Sequence, residues 1–308
     1  MPVLAVIGSL NVDLTVTTQR FHQPGETITG QTFCTYPGGK GGNQAVAAAR
    51  LGARVHMVSA LGQDDNGAFY RRTLQAEGIH AQTVMEKGGV PTGVALIQVD
   101  NQGENRIVVV PGANAQVNSA CVDEALPHIA HADMALLQLE IPMDTVLYAA
   151  QALHRQGIPV MLDPAPAQPL PDSLYPLLSY ITPNRSELHL LTGLPTDSLD
   201  QVKKTARQLL RRGARAVVAK LGAAGCLYMD EQRCLPVPGF AVQVVDTTAA
   251  GDSFNAGLAY ALAEGQPMEQ ALRFANAVGA LSTTKAGAQA AMPTLAQVQA
   301  LLTSTGSP

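Results

Sequence analysis

The chain has 308 residues, and 46% of them are hydrophobic, so it is long enough to bury a sizeable core. Its formal net charge is -4, and an acidic surface argues against nucleic acid or an anionic membrane as a partner. The apolar runs are too short to cross a bilayer, and no secretory h-region follows Met1. The four cysteines (Cys34, Cys121, Cys226 and Cys234) lack zinc-ligand spacing, which favours reduced thiols and a cytoplasmic protein.

Short apolar runs alternate with helical patterns over the first 221 residues. The runs predict buried strands at 3–10, 54–61, 132–139, 158–162, 180–182 and 214–221. Helices are predicted between them at 43–51, 64–77, 117–129, 144–156, 185–192 and 200–212. This alternation is typical of βαβ units, so we expect an α/β fold with a central, mostly parallel sheet.

Two stretches break this pattern. Segments 14–18 and 28–36 flank Pro24-Gly25, while segments 94–99 and 106–110 enclose a polar loop, and all four alternate polar with apolar residues. Alternation predicts strands with one solvated face, so we expect a small β-lid formed by about 14–36 and 93–111. Its apolar face needs a cover, either a ligand or a second subunit; plain antiparallel edge strands are the alternative. No linker or internal repeat is evident, so we expect one domain over 1–308.

The C-terminal third is predicted to be helical, and the segment that enters its first helix has the sequence DTTAAGDSF at 246–254. A helix start presents free N–H groups and the positive end of the helix dipole, which together bind anions. Ala249, Ala250 and Gly251 carry almost no side chain, so a phosphoryl group can approach the backbone. Asp252 can accept a proton from a hydroxyl that attacks this phosphorus. Taken alone, an aspartate in the first turn of a helix is usually explained as a partner of the helix dipole.

Polar residues also follow the first predicted strand, in the sequence GSLNVD at 8–13. Ligands of α/β proteins bind beyond the carboxyl ends of parallel strands, and the Asn11 amide and the Asp13 carboxylate suit neighbouring hydroxyls; turn formation is the alternative. The next such segment, GGKGGNQ at 38–44, permits close backbone approach. It is not a Walker A motif because Gly41 follows Lys40, and Gly8 opens no GxGxxG, which disfavours a dehydrogenase.

The string DTTAAGDSFNAG at 246–257 resembles the C-terminal signature of the ribokinase, or PfkB, family of carbohydrate kinases. The similarity extends over nearly the whole chain through several separate motifs. It implies a ribokinase-like three-layer α/β/α fold with a β-sheet lid, and phosphoryl transfer from ATP to a sugar. In that family the residue matching Asp252 is the catalytic base, and the backbone of 249–252 forms the anion hole. The matching sugar-binding positions are Asn11, Asp13, Gly39, Lys40, Asn43 and Glu140, together with Asp252.

The resemblance also assigns nucleotide and Mg²⁺ positions. TPNRSE at 182–187 matches the family's NxxE motif, in which Asn184 and Glu187 organise Mg²⁺, its waters and phosphate; a helix capping box is the local alternative. The remaining nucleotide positions are Lys220, Gly222, Gly225, Gly251 and Asn276. The family often has Thr or Ser where this chain has Lys220.

A monovalent-cation site, K⁺ in the family, maps to Asp246, Thr248, Ser282, Lys285, Gly287 and Ala291. A serine is common where this chain has Ala291, so one side-chain ligand is missing and we expect potassium activation to be weakened.

The resemblance implies an ATP-dependent kinase acting on the O5 hydroxyl of D-ribose. The presence of Asn11 is similar to the family members whose sugar bears a 2-hydroxyl, and on that resemblance we expect such a sugar. We expect ATP, Mg²⁺ and K⁺ as cofactors and a homodimer formed through the lid. Two alternatives stay open: the same chemistry on deoxyribose, a hexose or a nucleoside, and a sugar- or nucleotide-binding regulator without catalysis.

Overall fold

The computed structural model describes residues 1–305. The strands are β1 (Val3–Ile7), β2 (Asn11–Thr17), β3 (Thr32–Gly38), β4 (Arg54–Gly62), β5 (Val84–Lys87), β6 (Gly93–Val99), β7 (Asn105–Val110), β8 (Met134–Leu137), β9 (Val160–Leu162), β10 (Tyr180–Ile181), β11 (Val217–Lys220), β12 (Cys226–Met229) and β13 (Cys234–Val237). The helices are α1 (Lys40–Arg50), α2 (Asp65–Ala76), α3 (Ser119–Ile129), α4 (Met143–Arg155), α5 (Arg185–Thr192), α6 (Leu199–Arg211), α7 (Ala250–Ala263), α8 (Met268–Ser282), α9 (Ala288–Ala291) and α10 (Leu295–Ser304).

The main sheet has nine strands in the order β13-β12-β11-β10-β9-β8-β1-β4-β5. The strands from β11 to β5 run parallel, and only the pairings of β12 with β11 and with β13, at one edge, are antiparallel. The predicted mostly parallel sheet is therefore confirmed. Because parallel strands end at one edge, the loops after β1, β9 and β11 lie on the same side of the molecule.

Helices cover both faces of this sheet. In β1, Leu4 and Val6 pack into one core with α1, α7 and α8, whereas Ala5 and Ile7 pack into the other with α3, α4 and α6. A strand buried on both faces reads as an unbroken apolar run rather than an alternating one. The predicted helices appear within a few residues of their expected bounds.

The small sheet comprises β3-β2-β6-β7, in that order, and forms from the two stretches that alternate in sequence. Strands β2 and β6 are parallel, and the other two pairs are antiparallel. Its bounds differ from the prediction: β2 already begins at Asn11, and residues 18–31 contain no strand. Asn11 and Asp13 therefore lie on one face of a strand and do not form a turn after β1.

Several large apolar side chains of the small sheet are exposed, among them Phe33 at 65%, Ile107 at 52% and Val108 at 62%. All of β7 is exposed. Within residues 1–305, no helix combines the length and the hydropathy needed to cross a membrane.

Candidate active site

The start of α7 lies at the edge of the main sheet where the parallel strands end. Ala249, the residue before the helix, has φ of 58° and is the only non-glycine residue of 1–305 with a left-handed backbone. This conformation costs an alanine about 1–2 kcal/mol. Among the described residues, the amides of Gly251 and Asp252 have no hydrogen-bond acceptor, and no side chain caps the helix. Two free N–H groups at a helix start form an anion-binding position.

Asp252 lies beside these amides and is buried, with 3% of its surface exposed. Its Oδ2 accepts a hydrogen bond from Asn43 Nδ2 at 3.0 Å, and its Oδ1 accepts one from Gln44 Nε2 at 3.2 Å. Lys40 Nζ lies 3.9 Å from Oδ1. Burial raises the pKa of Asp252, and the Lys40 ammonium opposes the shift. A buried carboxylate with a raised pKa is a stronger base than one in water.

The glycine loop at 38–44 places these partners. A Cβ on Gly41 would lie 2.7 Å from Ser9 N, so only glycine lets the start of α1 touch the connection between β1 and β2. Gly39 enters α1 with φ of 81°, a conformation that glycine adopts without strain. The first turn of α1 therefore carries Lys40, Asn43 and Gln44 to the side of Asp252.

The predicted sugar-binding residues meet under the small sheet. Asn11 Oδ1 accepts a hydrogen bond from Asn114 Nδ2 at 2.7 Å. Glu140 Oε2 accepts hydrogen bonds from Ser9 Oγ at 2.5 Å and from the Lys40 amide at 2.9 Å. A cavity of about 400 Å³ is lined by Asn11, Val109, Pro111, Asn114, Ala115, Leu139, Glu140, Ile141, Pro142 and Pro166.

Asp13 faces the same region and lies directly over Gly38, where a Cβ would collide with its carboxylate. Burial, with a smaller contribution from the Glu140 charge, raises the pKa of Asp13 to about 7. The side chain therefore changes charge near neutral pH.

Three buried polar groups of the site, Gln44, Asp163 and Asn114, were not predicted from the sequence. Asp163 Oδ1 pairs with Lys220 Nζ at 2.7 Å, and Asp163 Oδ2 accepts a hydrogen bond from Gln44 Nε2 at 3.1 Å. Asp163 directly follows β9, so its place at the carboxyl end of a parallel strand was a usable signal. Asn114 lies in a single 3-10 turn, Gly112–Gln116, and carried no such signal.

Asn184 and Glu187 form the capping box that the sequence left open as an alternative. Asn184 Oδ1 accepts from the Glu187 amide at 2.9 Å, and Glu187 Oε2 accepts from the Asn184 amide at 2.7 Å. Glu187 is buried, which raises its pKa, while the Lys220 charge opposes the shift. The Lys220 amide donates to Pro183 O at 2.8 Å, which joins this helix start to the end of β11.

The other nucleotide positions assemble beyond β11. Gly222 and Gly225 both have positive φ, at 63° and 90°. Asn276 Nδ2 donates to Val237 O at 3.2 Å and to Pro238 O at 3.1 Å, so its amide holds the end of β13. The backbone of 237–239 packs on Gly225.

The six predicted monovalent-cation positions come together only in part. Asp246 Oδ1 accepts from the Thr248 amide at 2.8 Å, and Asp246 Oδ2 accepts from the Gly287 amide at 2.9 Å. Burial alone would raise the pKa of Asp246, but the hydrogen bonds from Thr248 and Gly287 lower it below its ordinary value. Ser282 Oγ instead donates to Gly279 O within α8, and Lys285 is exposed. Ala291 is buried at the end of α9.

A family model described as pfkB family carbohydrate kinase matches residues 1–295. The chain belongs to the pfkB family of carbohydrate kinases. One relative, a ribokinase from Haemophilus influenzae, is 42% identical over 294 residues, or 94% of this chain and 95% of that protein. A deoxyribokinase from Salmonella typhimurium is 35% identical over 295 residues, with 96% of each chain covered.

A solved structure of ribokinase from Arabidopsis thaliana, complexed with ribose and ATP, superposes with a TM-score of 0.92 at 35% identity. That match covers 97% of this chain and 98% of the other. The similarity therefore includes both sheets and the site between them.

Proposed function

We propose that this kinase transfers the γ-phosphoryl group of ATP to the O5 hydroxyl of D-ribose, giving ribose 5-phosphate and ADP. The observation that carries the proposal is the buried Asp252 carboxylate beside the unpartnered amides of Gly251 and Asp252. A base and an anion-binding backbone at one point are what phosphoryl transfer requires. Ribose is favoured because relatives named ribokinase reach 42% identity, compared with 35% for the deoxyribokinase.

In the proposed reaction, Asp252 accepts the O5 proton as O5 attacks the γ-phosphorus. An O5–P bond forms while the bond from this phosphorus to the β–γ bridging oxygen breaks, and that oxygen leaves on ADP. The backbone of 249–252, from Ala249 through Ala250 and Gly251, stabilises the negative charge on the transferring group. The sugar is held by Asn11, Asp13, Gly39, Lys40, Asn43 and Glu140, which line or adjoin the cavity under the small sheet.

The nucleotide is proposed to lie against Asn184, Lys220, Gly222, Gly225, Gly251 and Asn276. Within residues 1–305, no three His, Cys, Asp or Glu side chains cluster as metal ligands. A buried Glu187 fits Mg²⁺ held largely by water and phosphate oxygens, because Mg²⁺ takes few carboxylates and keeps several waters. Bound Mg²⁺ would neutralise phosphate charge, and Glu187 would orient its waters.

We also propose weak activation by K⁺. Asp246 already contacts both Thr248 and Gly287, and Ser282, Lys285 and Ala291 would add backbone oxygens. The donor set fits a monovalent cation, which is bound by neutral carbonyl oxygens and few charges. Ala291 has no side-chain oxygen to add, so the expected affinity is low.

We propose that the chain is a single domain and that the small sheet is its lid, formed by about 14–36 and 93–111. We also propose that this sheet packs against the small sheet of a second copy in a homodimer. The exposed Tyr36, Ile107 and Val109, which the strand register places on one face of this sheet, support a covered face, since monomers rarely leave such a patch in water. A cytoplasmic location without nucleic-acid or membrane partners is proposed from the net charge of -4 and the four free cysteines.

The substrate is tested by measuring ADP release with ribose, deoxyribose, hexoses and nucleosides as acceptors. We expect the highest kcat/KM for ribose and a phosphate at O5 by phosphorus NMR of the product. A higher kcat/KM for deoxyribose would favour the alternative that the 35% identical deoxyribokinase represents. If none of the acceptors in the panel leads to ADP release, the alternative of a non-catalytic regulator would be favoured.

A further inference from the structure

Asp163 has no part in the reaction proposed above, yet it is almost fully buried at the edge of the site, with 1% of its surface exposed. Its Oδ1 lies 2.7 Å from Lys220 Nζ, and the Lys220 side chain is only 12% exposed. Burial of a charge pair of this kind costs free energy because both charges are removed from water. Loss of one partner then leaves the other charge buried and uncompensated.

The pair reaches the anion-binding backbone through Lys220. A Cβ on Gly251 would lie 3.3 Å from Lys220 Nζ, so the ammonium sits against the residue whose amide is free. An ammonium carries three N–H donors, and among the described residues Asp163 is the one hydrogen-bond acceptor of the Lys220 ammonium. Two donors therefore remain for phosphate oxygens.

The pair also reaches Asp252, through Gln44. A single amide nitrogen, Gln44 Nε2, donates both to Asp163 Oδ2 at 3.1 Å and to Asp252 Oδ1 at 3.2 Å. The orientation of Gln44 is fixed from behind, because Gln138 Nε2 donates to Gln44 Oε1 at 2.7 Å. The position of Asp163 thus influences both the cation beside the phosphate and the amide that holds the base.

We infer that Asp163 is a positioning residue that holds Lys220 against the transferring phosphoryl group and, through Gln44, fixes the carboxylate of Asp252. This inference rests on the kinase function proposed above. Lys220 keeps its bond to Asp163 and uses its two remaining donors on phosphate oxygens when nucleotide binds.

The charges around Asp252 allow the inference to be tested through the pH dependence of kcat. The charges that act on it are Lys40 from α1 and Asp163 after β9. Lys220 at the end of β11 is paired with Asp163, and Glu187 and Glu140 act on Lys40. The Asp163 charge helps to raise the pKa of Asp252. Removal of that charge should therefore move the acid limb of kcat against pH to lower pH, and removal of the Lys220 charge should move it to higher pH.

The experiment compares Asp163→Asn, Lys220→Met and the double variant, using kcat/KM for ATP and the affinity for a non-hydrolysable ATP analogue with Mg²⁺. Lys220→Met should weaken both by about 10–100-fold, the usual value of one charge-assisted hydrogen bond. Asp163→Asn alone should lower both kcat/KM and analogue affinity by about tenfold, because Lys220 and Gln44 are left with one acceptor oxygen in place of two. In the Lys220→Met background the same change should raise analogue affinity by about tenfold, because it removes an unpaired carboxylate beside phosphate.

This reversal of sign, together with opposite shifts of the acid limb, separates a positioning role from a structural one. Effects of Asp163→Asn in the same direction in both backgrounds, or unmoved acid limbs, would overturn the inference. The matched control is the exposed pair of Lys203 and Asp200, 3.1 Å apart, where Lys203→Met and Asp200→Asn should change kcat/KM by less than about twofold. Should Lys220→Met not fold, Lys220→Arg, which keeps the cation, must retain analogue affinity within about tenfold.

Analogue affinity is measured without sugar, so a failure of the ribose assignment leaves this result intact. Conversely, an enzyme that phosphorylates ribose but shows no reversal refutes the role of Asp163 alone.

Discussion

At the scale of single residues, Asp252 differs from a residue that merely complements a helix dipole in its burial and its partners. A carboxylate that only complements a dipole lies in solvent, whereas Asp252 is 3% exposed and is held by two side-chain amides. Both of its oxygens have donors, so its orientation is fixed before substrate arrives. The sequence suggested the position, but the partners became visible only when α1 and α7, separated by some two hundred residues, were brought together.

Asp252→Asn tests the proposed base. We expect kcat to fall by about 100–10,000-fold, the contribution of a positioned general base, because the amide cannot accept the O5 proton. Ribose affinity by calorimetry should stay within about threefold, since Asn keeps the shape and one acceptor oxygen. Asp200→Asn, at an exposed position of α6, serves as the control. Unchanged turnover would show that another group takes the proton.

Asp13 predicts a pH dependence of sugar binding. Its pKa of about 7 means that the carboxylate loses its charge as pH falls, and with it the capacity to accept two hydrogen bonds from hydroxyls. If only the charged form binds well, the Kd for ribose should rise about tenfold between pH 7 and pH 5.5. Calorimetric titrations across that range test this. Asp13→Asn should bind weakly at every pH; a wild-type Kd that stays flat would contradict the shift.

The raised pKa of Asp13 also predicts how the free energy of unfolding depends on pH. The folded-state pKa of Asp13 is raised from 3.8 to about 7, so between these values the folded state holds a proton that the unfolded state has released. The contribution of Asp13 to the free energy of unfolding therefore falls as pH rises through this window, and Asp13→Asn should flatten the dependence. Urea unfolding at pH 5 and pH 7 measures the difference.

At the scale of elements, the sequence predicted the strands from β1 to β11 that form the parallel interior of the main sheet and missed strands at its two edges. The runs that became β1, β4 and β8 are buried on both faces, so their composition alone identifies them. The edge strands β5 and β13 are only partly buried and show no apolar run, and they were missed together with β12, which pairs with β13. The start of β2 was missed because Asn11 and Asp13 look like turn residues, although they pair in register with Gly38 and Tyr36.

The glycine loop gives a prediction at this scale. In Gly41→Ala, the new Cβ would meet Ser9 N at 2.7 Å, and backbone cannot yield as a flexible side chain can. We expect α1 to shift, with a loss of about 1–3 kcal/mol in the free energy of unfolding and a higher KM for the sugar. Gly88→Ala, where the nearest atom is a Gln63 side-chain oxygen at 3.2 Å, is the matched control. Equal stabilities of the two variants would rule out a requirement for close approach.

At the scale of the whole molecule, the parallel sheet gathers residues that are far apart in sequence. Polar side chains after β1, β8 and β9 all reach one edge, where α7 also begins. The family resemblance identified most of these positions, because their motifs are local strings. It did not identify Asp163 or Gln44 as partners, since their role depends on which strands are neighbours.

The small sheet leads to a prediction about assembly. Ile107 lies on the same face of β7 as Val109, which lines the cavity, and is 52% exposed. A second small sheet covering this face would bury both side chains and keep water from the cavity. Sedimentation at micromolar concentration should therefore give a dimer for the wild type and a monomer for Ile107→Asp, because an unpaired charge is costly in an apolar interface. The monomer should also show a raised KM for ribose, since one wall of its cavity is open.

Leu190→Asp, at a 47% exposed apolar position on α5, is expected to stay dimeric. A wild-type chain that sediments as a monomer would mean that another partner, or none, covers this face.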